Sequence, residues 1–289
     1  TTKDIVVITN KWIYQEKVFL DLLTTTCILD GTTLLSGESH TFYLAEVNAD
    51  CSVISQVRTC ENGALDGSSL YQYSNCDLLT FRSVWNTSKN TSAGSSPINN
   101  IILPLDSAGT YNFIANWGDG TNSTITAYND VDNNHTYASP WVYQINITGT
   151  IVGFRFNNGG DKLKLLEIKE FGPLRLGVNG GYFYGCSNLQ ITAVDVLNMT
   201  GTTNMAQLFY SASSLTTVPS INDWDMSQVT NMNNMFQFAT NFNQNISNWN
   251  TANVTGMGLM FYNASNFNQD ISNWNTDNVI IMSAMFERA

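Results

Sequence analysis

The sequence predicts a multidomain, β-rich protein: a disulfide-stapled antiparallel β-domain, a short β-segment, and an α/β solenoid built from repeats of about 25 residues. Three observations predict it. Four of the five cysteines, Cys27, Cys51, Cys60 and Cys76, fall in the first 76 residues, among short apolar segments separated by turn signals. A polar run of small residues, NTSKNTSAGSSPINN, interrupts the chain at residues 86–100. From about Lys162 onward the sequence repeats itself.

The first element, residues 1–85, alternates DIVVIT, KVFLDLL, HTFYLAEV, SVISQV and SLYQY with the turn signals LDGTT, SGES, ENGALDG and SNCD. This is the signature of an antiparallel β-domain. An even number of cysteines in so small a domain reads as two disulfides formed in an oxidising compartment. Zinc is the competing use, but its sites usually pair cysteines two to four residues apart, whereas the gaps here are 24, 9 and 16. Spacing leaves the connectivity open. The motif R-x-C-x-N-G-x-L-x-G, running from Arg58 to Gly67 and followed by Cys76, resembles a Cys-containing module of large bacterial surface proteins. That resemblance implies secretion and carries no chemistry. Residues 86–100, without periodicity, read as a linker.

Residues 101–152 form the next segment. Asn116-Trp117-Gly118-Asp119-Gly120-Thr121 closes a hairpin in which glycines permit positive φ beside an Asp. His135-Thr136-Tyr137 then precedes a strand whose Trp141, Tyr143, Ile145 and Ile147 alternate with outward residues. The segment resembles a PKD-type β-sandwich, shortened and expected to pack on the repeats C-terminal to it.

Residues 153–289 are the repeats. Phe183, Phe209, Phe236, Phe261 and Phe286 recur at spacings of 26, 27, 25 and 25, each followed three positions later by Cys186, Ala212, Ala239, Ala264 or Ala289. Further columns run Phe171, Leu197, Trp224, Trp249, Trp274 and Met205, Met232, Met257, Met282. Such a period marks a stacked array. Val229, Met232, Phe236 and Ala239 are spaced as one helical stripe, with Ser227 or Thr230 as a cap. FNQNISNWN and FNQDISNWN read as strands. Each unit is thus expected to be a short strand plus a short helix, buried by stacking on its neighbours.

The Trp column, beside Ile221, Ile246 and Ile271, reads as core rather than as a sugar platform, and Cys186 as a small buried residue. Asn248 and Asn273, Asn250 and Asn275, and Asn253 and Asn278 are expected to form exposed amide columns, with the first two pairs as the candidate binding face. The units MNNMFQFATNFNQNISNWNTANVTGM and MGLMFYNASNFNQDISNWNTDNVIIM, and the leading FRFNNGGDKLKLLEIKEFG and FYGCSNL, are similar to the BspA-type leucine-rich-repeat-like family of surface proteins. With WGDGT…HTY the resemblance covers residues 110–289. It implies adhesion and partner binding, and brings no catalytic motif. Phe171, Leu197, Leu208 and Leu215 depart from the later columns, as a leading cap would.

Composition sets the remaining bounds. Net charge is −11, charged residues make up 12%, and no Lys or Arg occurs from Leu176 to Glu287. Nucleic acid and anionic membrane are therefore poor partners, and no apolar run approaches the ~20 residues of a membrane span. The first residue is Thr1, which fits either a removed signal peptide or a fragment. Asn86, Asn90, Asn122, Asn134, Asn146 and Asn198 are glycosylation candidates, with further sequons at Asn245, Asn253 and Asn263 inside the repeats.

His40 and His135 read as structural. Asp223 and Asp225 flank Trp224, but their repeat equivalents are asparagines, so they form a polar column rather than a glycosidase pair. Asp130, Asp132 and Asn134 are weak calcium candidates, without the glycine and distal Glu of an EF-hand. No catalytic or other cofactor motif is present. The expectation is a secreted or cell-surface, non-enzymatic, extracellular protein that binds a protein or glycan on another surface. The alternative is a structural subunit of an extracellular filament, surface layer or viral particle, with copies of itself as partners. The sequence stops at Ala289 in mid-unit, so the face carrying Met282, Met285 and Phe286 is expected to be covered by further repeats or by a neighbour.

Overall fold

The computed structural model describes residues 26–43, 47–48, 55–61, 64–72, 77–89 and 94–289. It divides into two compact units, Thr1–Leu79 and Thr80–Ala289.

In the first unit, β1 (Thr26–Leu29) and β2 (Thr32–Leu35) form a hairpin closed by Asp30 and Gly31, both at positive φ. That is the residue pair a tight two-residue turn favours. β3 (Ser39–Tyr43) pairs antiparallel with β5 (Ser55–Glu61), β5 with β6 (Ala64–Leu65), and β4 (Val47–Asn48) parallel with β7 (Asp77–Leu78). The core is small: Cys27, Leu34, Phe42 and Cys60. A disulfide joins Cys27 to Cys60 across 33 residues, a closure that stabilises by roughly 3–4 kcal/mol through the unfolded chain.

The R-x-C-x-N-G-x-L-x-G motif has a mechanical basis. Arg58 is buried and donates to the carbonyls of Asp66, Tyr71 and Leu65 at 2.7, 2.9 and 3.5 Å, while its guanidinium lies 5.8 Å from the Phe42 ring centre. Gly67 sits at positive φ, and a Cβ there would come within 2.6 Å of Gln56. Cys51 and Cys76 lie outside the described residues, and so does the second expected disulfide.

The second unit is built on a sheet ordered β11–β10–β13–β8–β14–β16, with β8 Thr80–Asn86, β10 Leu105–Asn116, β11 Asn122–Ile125, β13 Val142–Phe154, β14 Leu165–Glu170 and β16 Gln190–Ile191. Its pairings are antiparallel except β14–β16 and that of β15 (Leu174–Arg175) with β13. β9 (Asn100–Ile102) and β12 (Asn134–Thr136) pair separately. Inward residues alternate, as in Phe81, Ser83 and Trp85 or Ile145 and Ile147. One continuous core runs from Phe81 to Met285.

Two expected boundaries move as a result. β8 belongs to the second unit, and β10, β11 and β13 share its sheet together with β14. The described end of the expected linker is tied down by a buried ion pair. Asp161 accepts from the Ser95 hydroxyl, from the Ser96 backbone N–H and hydroxyl, and from the Ile102 N–H, all at 2.7–2.8 Å. Lys164 lies 3.3 Å from Asp161 and donates to the Ser96, Pro97 and Asn100 carbonyls at 3.0, 2.8 and 2.8 Å. Burial holds its ammonium below the ordinary lysine range, against the pull of the Asp161 charge.

The expected α/β solenoid is overturned. Among the described residues the only helices are two short 3-10 turns, Val131–Asn133 and Ile221–Asp223. Beyond β16 the repeats hold isolated bridges, Asn204 to Asn231 to Gly256 to Ile281, instead of strands. The helical stripe fails because two residues in each unit, four apart, sit near φ +60°: Gln207 and Ser211, Asn234 and Phe238, Leu259 and Asn263, Ala284 and Arg288. A right-handed helix cannot contain them.

Alternate N–H groups leave the unit instead. Those of Met232, Asn234, Phe236 and Phe238 donate to the carbonyls of Gly256, Gly258, Met260 and Tyr262 at 2.8–2.9 Å. The residues between them close turns, such as Met235 to Met232, Gln237 to Asn234 and Ala239 to Phe236. Each unit is a string of overlapping turns, a rung hydrogen-bonded to the next rung.

Candidate interaction surface

Rung stacking places equivalent side chains in register. Phe236 lies 5.5 Å from Phe261, and Phe261 5.5 Å from Phe286, with rings nearly parallel. Trp249 and Trp274 stack at 6.0 Å, and their indole N–H groups donate to the Ile221 and Ile246 carbonyls at 2.6 and 3.0 Å. At 3% and 8% exposure these indoles are core, not a sugar platform. Cys186 is a free, buried cysteine whose thiol burial pushes well above its ordinary value, which leaves it unreactive. Alkylation of denatured, unreduced protein is expected to label one cysteine, Cys186; a second labelled cysteine would refute two disulfides in the first unit.

The polar columns face outward. Asn248, Asn250, Asn253, Asn273, Asn275 and Asn278 are all exposed. Two of the three columns do structural work. The side-chain oxygens of Asn250 and Asn275 accept from the N–H two residues on, at 3.1 and 2.9 Å, the local turn that Asn favours. Asn253 and Asn278 donate to the Ser227 and Ala252 carbonyls of the preceding rung, each at 2.7 Å. Between rungs the Asn253 and Asn278 column is therefore bonded from amide to backbone. The amide groups of Asn248 and Asn273, and the NH2 groups of Asn250 and Asn275, remain for solvent or a partner, one rung apart on a rigid frame.

The structure also shows a partly exposed aromatic column. Tyr184, Tyr210, Phe238 and Tyr262 follow one another at 4.4, 5.7 and 5.6 Å. Their rings meet at 49°, 62° and 77°, tilted in the first pair and edge to face in the other two, and offer no flat platform. The signal was the Tyr after Phe183, Phe209 and Phe261; Gln237 breaks that column, and Phe238 from the next position fills it.

Other candidates are scattered. Asp130 caps the 3-10 turn, accepting from Asp132, and its carboxyl is held low by the Thr126 and Asp132 backbone N–H groups. Asn134 accepts from Asn100 at 3.2 Å. Among the described residues no three His, Cys, Asp or Glu side chains are placed to hold a metal. Asp225 accepts from Ser227 within a turn, as Asn250 does from Ala252.

Of the sequons, Asn122, Asn134 and Asn198 are exposed, Asn86 and Asn146 are half-buried within strands, and Asn90 lies outside the described residues. His40 packs edge-on to Phe42 at 5.1 Å. A cavity of about 190 Å³, lined in part by Asp106, Gly109, Arg175, Asn179 and Thr200, brings together no nucleophile and base.

The WGDGT…HTY residues form a staple. His135 stacks on Trp117 at 4.7 Å, and its Nε2 lies 2.8 Å from Asp119, whose other oxygen accepts from Thr121. Tyr137 donates to the Trp117 carbonyl at 3.0 Å and stacks on Tyr143 at 3.7 Å. Gly118 is required there, because a Cβ would meet the Gln144 carbonyl at 2.4 Å. Partial burial raises the Asp119 carboxyl, but the Thr121 and His135 hydrogen bonds outweigh it and hold it below 3.8. A carboxyl lowered on folding stabilises above its unfolded value and loses that contribution as pH falls through the lowered one. Acid titration is therefore expected to show a stability loss below pH 3.8 that Asp119→Asn makes shallower; identical slopes would refute it.

The rung region, residues 180–289, matches the family described as "Mycoplasma protein of unknown function, DUF285". No curated protein and no solved structure matches the chain. Among the described residues no helix is long and apolar enough to cross a membrane.

Proposed function

We propose that this chain is a secreted, non-enzymatic surface protein whose rung region adheres to a protein or glycan on another surface. The observation that carries the reading is the pair of exposed amide columns, Asn248 with Asn273 and Asn250 with Asn275, set one rung apart on a frame that fixes their spacing. Uncharged amides on a rigid surface lose little entropy on binding and suit hydroxyl or peptide partners better than phosphate. From Leu176 to Glu287 the chain carries Asp195, Asp223, Asp225, Asp270, Asp277 and Glu287 and no basic residue, which disfavours anionic ligands. The Cys27–Cys60 disulfide suits an oxidising, extracellular setting. The resemblances to BspA-type repeats, to the Cys-containing module and to a PKD-type segment support the same reading.

The test is retention of labelled protein on fixed bacterial and animal cells and on a printed panel of neutral and acidic oligosaccharides. Asn248→Arg with Asn273→Arg should reduce retention at least about tenfold, the effect of losing about 1.4 kcal/mol of binding, with the melting transition unchanged. Retention equal to that of the unaltered protein would refute this face as the site.

A further inference from the structure

A break in the main sheet borders the cavity that Arg175 lines. β10 pairs with β13 at Leu105 and again from Thr110 onward, and the register shifts between the two, so Asp106–Gly109 leave the ladder. Such irregularities re-aim side chains and recur beside binding sites. Where Thr110 pairs with Val152 on one side of β13, Arg175 of β15 pairs with Val152 on the other. The Tyr111 hydroxyl pins the break, lying 2.8 and 2.7 Å from the Asp106 and Gly153 carbonyls. Gly109 is required there, because a Cβ would come within 1.9 Å of that hydroxyl and 2.3 Å of the Val152 carbonyl. The cavity, about 190 Å³, lies among these residues, β15 and the Thr200–Gly201 turn.

Its two charged side chains differ in how they are matched. Asp106 is answered within the protein: its carboxylate accepts from the Ala108 N–H at 3.0 Å and the Asn179 amide at 2.9 Å, and lies 3.8 Å from Arg155. Arg175 is not answered. Among the described residues its guanidinium has no hydrogen bond or ion pair, and its Nε is buried without a partner. An unmatched guanidinium drawn out of water is costly, and its planar fork fits a carboxylate bidentately. Arg175 is also the last basic residue before the stretch Leu176–Glu287, so the amide face has no counterpart to it.

We infer that the cavity is a binding site for one hydroxylated monocarboxylate, an acidic sugar of the uronic acid type, with its carboxylate on the Arg175 guanidinium. One unmatched positive charge with Asp106 nearby suits a monoanion and opposes a dianion such as phosphate. The Asn179 NH2 donates to Asp106, which fixes the amide and leaves its oxygen to accept from a ligand hydroxyl. Thr200, exposed on the rim, supplies a hydroxyl, and Val152, Leu176 and Val178 supply apolar walls for the C–H face of a sugar ring. The volume lies below the roughly 300–1,000 Å³ of larger ligand sites and admits one ring rather than a chain. The site is independent of the amide-face reading above, since Asn248 and Asn273 take no part in it.

The test is titration calorimetry of the 289-residue chain with glucuronate, glucuronamide, acetate and inorganic phosphate. Saturable one-to-one binding of glucuronate is expected, with a Kd below about 1 mM. Glucuronamide keeps the shape without the charge, acetate the charge without the ring, and phosphate brings a second charge; each should bind at least about tenfold more weakly. Arg175→Met should weaken glucuronate at least about tenfold and leave the melting transition unchanged, since no protein partner is lost. No glucuronate saturation up to about 10 mM, equal affinity for any of the other three ligands, or unchanged binding by Arg175→Met would each overturn the proposal. The ligand series uses the unaltered protein, so it stands even if the Arg175 variant loosens β15.

Discussion

Trp249→Ala is expected to destabilise the unit Thr80–Ala289 by about 3–5 kcal/mol, the cost of truncating a large buried aromatic. The indole is 3% exposed and lies between Phe236 at 6.2 Å and Trp274 at 6.0 Å. It also supplies the one donor that reaches the Ile221 carbonyl from the following rung, at 2.6 Å. The rung geometry forbids easy collapse around the gap, because the backbone ladder holds neighbouring rungs at fixed separation. Urea melts of the variant and the parent measure the loss directly. A loss below about 1 kcal/mol would place the residue among surface substitutions and return the Trp column to the candidate binding surface. The Cys27–Cys60 hairpin domain should keep its disulfide and its fold in the variant, since its core is a separate cluster.

Asp161→Ala is expected to cost the same unit about 3–5 kcal/mol, by leaving the Lys164 ammonium buried and unpaired. Both side chains are fully buried, 3.3 Å apart. Asp161 also accepts from Ser95, Ser96 and Ile102, so its loss frees donors on three residues as well as one charge. Lys164→Met should cost a comparable amount, and the double variant less than the sum of the two, because removing both charges leaves neither stranded. Denaturant melts of the three variants form the cycle. Strict additivity would show that the two residues act separately.

Much of the architecture was readable from residues alone. The Phe, Ala, Trp and Met columns mark stacked units, and the columns are buried in register up to the last unit, where Met282, Phe286 and Ala289 are exposed. Cys186 in an Ala column predicts a buried thiol, and it is one. HTFYLAEV and SVISQV predict strands, and β3 and β5 pair there, whereas Ser69–Gln72 of SLYQY form no strand and the β1–β2 hairpin flanks a turn instead. The helix did not form, and the reason lies in the pattern itself. An apolar spacing of three, four and three residues satisfies both a helix and a run of overlapping turns with one inward face. The asparagines pointed to turns, since Asn is a poor helix former that tolerates positive φ, but Phe238 and Leu259 adopt it as well, with no local signal.

The sequence by itself determined the repeat length, the buried columns, the amide-rich exterior and the disulfide-bearing β-domain, because these depend on which residues recur and at what interval. Tertiary structure alone decided that the units are turn-built rungs, because every second N–H finds its acceptor about 25 residues away instead of four back. It also decided that β8 and the stretch Ser95–Ile102 belong to the second unit. There Asp161 and Lys164, which in DKLK look like an ordinary charged surface run, are buried against backbone groups some 60 residues distant. A group's hydrogen-bond partner is a property of the packed chain, and no local pattern records it.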